Sequence, residues 1–113
     1  MTLRSHMEGD ILVVRVEGPR LDAAAAGAFK SEMVDFIHAG KHRLALDLST
    51  VDFMDSTGLA ALLSTMKTLG GTGEIVLSGL SEKVRKLFAI TRLDRGVFRI
   101  FNTVDEMVNA LRG

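Results

Sequence analysis

The amino-acid sequence predicts a single α/β domain over residues 1–113, with a mainly parallel sheet and helices packed on it. Three observations carry that expectation. Apolar runs of strand length, at residues 11–16, 44–48 and 74–77, alternate with stretches whose apolar residues recur at helical spacing. Gly18-Pro19, Ala39-Gly40 and Gly70-Gly71-Thr72-Gly73 separate them, as turns should. Repeated strand-helix-strand units require right-handed parallel crossovers.

Each element follows in order. Residues 3–7 and Ile11–Glu17 read as two strands joined through Glu8-Gly9-Asp10, an antiparallel hairpin at the sheet edge. Gly18-Pro19-Arg20 breaks that pattern, and Asp22 can cap a first helix carrying Phe29, Met33, Phe36 and Ile37 on one face. Leu44, Ala45, Leu46 and Leu48 form a buried strand, followed by a polar turn and a helix bearing Leu59, Leu62, Leu63, Met66 and Leu69. After the 74–77 strand, Ser81 caps a helix with Val84, Leu87 and Phe88, and residues 97–101 form a further strand. Thr103-Val104-Asp105-Glu106 matches a capping box, and Val104, Met107, Val108 and Leu111 give the last helix an apolar face. The order is ββαβαβαβα.

Composition removes several function classes. Lys plus Arg and Asp plus Glu each number 14, so the formal charge is 14 − 14 = 0 and no basic field draws nucleic acid. The absence of cysteine excludes disulfides, thiolate catalysis and cysteine-ligated zinc. The N-terminus has no signal-peptide core and no stretch approaches the ~20 apolar residues of a membrane span, so the expectation is a cytoplasmic chain. No cofactor or metal is expected.

The polar stretch of interest is Asp55-Ser56-Thr57-Gly58, where a strand hands over to a helix. A helix N-terminus leaves backbone N–H groups without partners and favours anions, and no Glu or Gln three residues on completes a capping box. A serine-hydrolase elbow would need glycine at position 54, which is Met, and a late histidine, whereas the histidines are His6, His38 and His42. A phospho-aspartate receiver would need an acidic pair after the first strand and a late lysine; Asp47, Asp52 and Asp55 lack both, so Asp47 and Asp52 are read as turn and surface groups. Gly40 interrupts His38 and His42, and 70–73 leads into a strand instead of a phosphate-binding helix. Ser56 and Thr57 on their own are ordinary capping residues.

The stretch Val51-Asp52-Phe53-Met54-Asp55-Ser56-Thr57-Gly58-Leu59, after a strand containing Asp47-Leu48 and within this element order, resembles the STAS-domain anti-sigma factor antagonists. Gly18 through Asp22 is similar to that family's other signature, with one residue more than its usual Gly-x-Leu-Asp. The resemblance implies a non-enzymatic phosphorylation switch, Ser56 being the phosphoacceptor and Thr57 a secondary hydroxyl. A serine-kinase anti-sigma factor would add the phosphate and a metal-dependent phosphoserine phosphatase would remove it. Asp22, Asp55, Ser56, Thr57 and Gly58 would form the partner contact of a monomer or weak dimer. The alternative within the same fold is an unphosphorylated subunit docking on an ATPase or transporter assembly, with Ser56 a cap and contact residue.

Overall fold

A computed structural model describes residues 1–112. A five-stranded sheet has the order β1-β2-β4-β6-β7, from β1 (Thr2–Glu8), β2 (Ile11–Glu17), β4 (Arg43–Asp47), β6 (Glu74–Ser78) and β7 (Arg99–Phe101). β1 and β2 pair antiparallel through a two-residue turn in which Gly9 supplies the positive φ of 63°. The other three pairings are parallel. Four helices complete the chain: α1 (Ala23–His38), α2 (Ser56–Leu69), α3 (Glu82–Ile90) and α4 (Val104–Arg112).

Three successive crossovers that step across the sheet in one direction deliver their helices to one face. Accordingly α1, α2 and α3 bury Phe29, Met33, Leu59, Leu62, Val84 and Phe88 against Leu12, Val14, Leu44, Leu46, Ile75 and Leu77. The alternate residues Ile11, Val13, Ala45 and Val76 point the other way and are covered by Met107, Val108 and Leu111 of α4. Both faces are buried, which is why Ile11–Val14, Leu44–Leu46 and Ile75–Leu77 read as unbroken apolar runs. Met33 and Met54 are buried in the core under α1 to α3, and Met66 packs against it.

Expected caps are present on α3 and α4. Ser81 Oγ accepts from Val84 N–H at 3.3 Å, and Thr103 Oγ1 accepts from Glu106 N–H at 3.2 Å. The Glu106 carboxylate returns to Asn102 N–H at 3.0 Å, one residue before the position a capping box would use.

Two local expectations are corrected. The last strand begins at Arg99, not at 97: Val97 is exposed, while Phe98 is turned into the core edge-on to Phe88, with ring centroids 5.8 Å apart. The segments around Arg20 and Phe53, read as a break and a polar turn, form two further strands, β3 (Arg20–Leu21) and β5 (Phe53–Met54). They pair parallel, Arg20 beside Phe53 and Leu21 beside Met54, in a ribbon separate from the main sheet.

Candidate functional site

The small ribbon brings the two sequence signatures together. Each of its strands runs straight into a helix, β3 through Asp22 into α1 and β5 through Asp55 into α2, so pairing the strands sets two helix N-termini side by side. The carbonyl of Pro19 accepts from the N–H groups of Asp52 and Phe53 at 2.8 and 3.0 Å, closing the ribbon at its upstream end.

Asp55 is the cap of α2 and more. One carboxylate oxygen accepts from Gly58 N–H at 2.9 Å, satisfying its own helix. The other accepts from Ala23 N–H at 3.2 Å, the first residue of α1. Asp22 caps α1 with one oxygen, accepting from Ala24 and Ala25 N–H at 3.2 and 3.3 Å. Its second oxygen receives Arg20 Nε at 3.0 Å. That guanidinium hydrogen bond holds the Asp22 carboxyl below the ordinary carboxylate range; partial burial opposes it, and the Ala25 and Ala24 N–H groups reinforce it.

Gly58 is required for closeness. Its backbone lies so near β3 that a Cβ there would stand 2.0 Å from the carbonyl oxygen of Leu21, a backbone atom with nowhere to go. Asp55 N–H points to the same carbonyl at 3.4 Å. The Asp-Ser-Thr-Gly order therefore has a mechanical reason: a double cap, two exposed hydroxyl residues, then the one residue that lets α2 approach Leu21.

Ser56 and Thr57 are both exposed. Among the described residues neither hydroxyl has a hydrogen-bond partner, and neither of their backbone N–H groups has an acceptor. At α1, by contrast, Ala23 through Ala26 all donate to Asp55 or Asp22. Of these two adjacent helix starts, only α2 keeps unfilled donors among the described residues, under the two hydroxyls.

Arg20 and Phe53 belong to this surface and escaped the sequence reading. The Arg20 guanidinium lies 4.2 Å from the Phe53 ring centroid while bonded to Asp22, leaving an exposed cation-on-aromatic ledge on the strand that leads to Ser56. The additional residue between Gly18 and Leu21 was the available signal. Asp52 is exposed, and Asp47 caps its own turn through Ser49 N–H at 2.9 Å, as surface and turn groups should.

The histidines stand elsewhere: His6 in β1, His38 at the far end of α1, and His42 ahead of β4 with its Nδ1 2.8 Å from Thr72 Oγ1. His42 is therefore hydrogen-bonded, not free in solvent. No group of three His, Asp or Glu among the described residues could hold a metal.

The family model for the STAS domain matches residues 4–107. The anti-sigma-B factor antagonist of Staphylococcus epidermidis is 33% identical over 94 residues, 82% of this chain and 86% of that protein. The anti-sigma-F factor antagonist RsfB of Mycobacterium tuberculosis is 26% identical over 96 residues, 85% of this chain and 78% of its own. A solved anti-sigma factor antagonist from Mycobacterium paratuberculosis superposes with a TM-score of 0.89 at 27% identity, covering 99% of this chain and 94% of that one.

Proposed function

The chain belongs to the STAS domain family, and from that premise we propose that it is an anti-sigma factor antagonist whose binding is switched by phosphorylation of Ser56. Unphosphorylated, it binds a serine-kinase anti-sigma factor and releases the sigma factor that partner holds. Phosphorylated, it lets go until a phosphoserine phosphatase restores it. The chain regulates transcription through protein contacts in the cytoplasm and performs no catalysis itself.

One observation supports this above the others: the Ser56 hydroxyl is exposed and unbonded on a helix N-terminus that Asp55 fixes to its neighbour. A kinase needs a hydroxyl it can reach, and a partner needs a surface that keeps its shape. Asp22, Asp55, Thr57 and Gly58 form that surface, with Thr57 the secondary hydroxyl.

The energetics favour a switch that acts at an interface. A phosphoserine adds about −1.5 to −2 charges, while an exposed anion at a helix N-terminus gains only ~0.3–1 kcal/mol. Within a contact the added charge must be desolvated or repelled, and ~3–4 kcal/mol there weakens binding more than about a hundredfold.

Phosphopeptide mapping of the protein from growing and stressed native cells tests the reading, with a phosphate on Ser56 that changes between conditions as the expected result. In binding assays with the co-purified kinase-type partner, Ser56→Ala should bind as the unmodified chain does, and Ser56→Asp should lose about a hundredfold. Complete absence of phosphate from Ser56 and Thr57, with a transporter or ATPase subunit as the co-purifying protein, would replace the switch with a docking subunit.

A further inference from the structure

The outer edge of the main sheet is a second surface, separate from the Ser56 helix start. β1 is an edge strand: it pairs with β2 along one side, and its other row of backbone groups has no strand partner among the described residues. All seven residues, Thr2–Glu8, match β2 one to one, with no bulge and no proline. Proteins ordinarily interrupt so long an edge by such devices, because an intact one is a template for another strand. From Arg4 to Met7 every residue is exposed, and Met7 is 43% exposed beside the strand's partly buried Leu3.

We infer that β1 pairs antiparallel with β1 of a second copy of this chain, about a two-fold axis through Ser5, to make one continuous ten-stranded sheet. The strand's own sequence selects that occupant. A two-fold through Ser5 sets residue 3 opposite 7, 4 opposite 6, and 2 opposite 8. On the face that carries α1 to α3, Leu3 of each copy covers the exposed Met7 of the other, twice over. On the opposite face Thr2 meets Glu8 and Arg4 meets His6; each Arg4, held by Glu17 of its own copy, lies diagonal both to Glu8 and to Arg4 of the second copy. No two carboxylates and no two guanidinium groups come opposite each other. The register uses the full strand and leaves none of its apolar side chains facing a charge.

The pairing leaves the proposed switch open. α2 packs on α1, β5 and β6, so the dimer would carry two Ser56 sites, each free for a partner.

Analytical ultracentrifugation of the full chain tests the inference. The expected result is a reversible monomer-dimer equilibrium that Ser5→Glu weakens by about a hundredfold, since it places two like charges roughly 5 Å apart on the axis. The chain has no cysteine, so Ser5→Cys introduces a single thiol. Facing residues of antiparallel strands have Cα atoms about 4.5–5.5 Å apart, within the range a disulfide spans. With an added copper-phenanthroline oxidant, which takes two electrons as two thiols lose their protons, Ser5→Cys should convert to a covalent dimer. Ser31→Cys, exposed on α1, should not. A monomer at concentrations up to about 1 mM, or a dimer indifferent to Ser5→Glu, overturns the pairing, and neither result touches the Ser56 reading.

Discussion

Asp55 and Asp22 divide four carboxylate oxygens among two helices and one guanidinium, and the guanidinium sets how Asp22 responds to pH. Asp22 titrates below the ordinary range in the folded chain, with Arg20 the largest cause. A depressed folded pKa contributes stability that is present above the unfolded-state pKa and lost as pH falls through the folded one. Removing the guanidinium by Arg20→Ala should raise the Asp22 midpoint toward that of a free carboxylate, followed by NMR titration of its side-chain carbonyl carbon. An unchanged midpoint would mean that the α1 N–H groups, not Arg20, hold the carboxylate. The same variant exposes the Phe53 ring, so a partner that reads the ledge should bind it more weakly.

At the scale of elements, the contact that matters most is that of α2 with β3. In most exposed helix positions replacing glycine by alanine gains up to ~1 kcal/mol of helix propensity. At Gly58 the sign should reverse, because the new methyl group meets the Leu21 carbonyl oxygen at 2.0 Å. Gly58→Ala should therefore lose about 1–3 kcal/mol in urea unfolding, together with the α2 approach that aligns Ser56. An unchanged midpoint would show that the helix can step back at no cost.

The helices and main strands were legible in the sequence because each carries a period: Phe29, Met33 and Ile37 at helical spacing, or the unbroken run from Leu44 to Leu46 buried on both faces. Asp22 was legible as a cap by residue type, whereas the cap of α2, read at Ser56 and Thr57, is Asp55. The β3–β5 ribbon was not legible, since two residues are too short to show a period and their pairing is decided by which helices they feed. Phe98 was misplaced for a related reason. The stretch 97–101 sets bulky residues in adjacent pairs, Val97-Phe98 and Ile100-Phe101, with no period to mark where the strand begins, and Phe98 turns inward against Phe88 of α3 ahead of it.

At the scale of the whole molecule, a phosphate on Ser56 should leave the fold alone. The site rests on backbone hydrogen bonds among Pro19, Asp22, Asp52 and Asp55, and the two large cores lie beneath it on either side of the sheet. Amide chemical shifts of phosphorylated and unphosphorylated chains should therefore differ around residues 20–25 and 52–60 and coincide in β2, β4 and β6. A shift change spread through those strands would replace surface repulsion with refolding as the cause of release.

The division of helices, three on one face and α4 alone on the other, also bears on how the chain is made. Ile11, Val13, Ala45 and Val76 are synthesised well before Met107, Val108 and Leu111, which alone cover them. At about 5–20 residues per second, roughly 1–6 s separate Val76 from the start of α4. Throughout that interval the apolar residues of β2 and β4 on the reverse side have no helix to cover them. A chaperone that binds bare apolar surface therefore has its opportunity on that face before α4 is made.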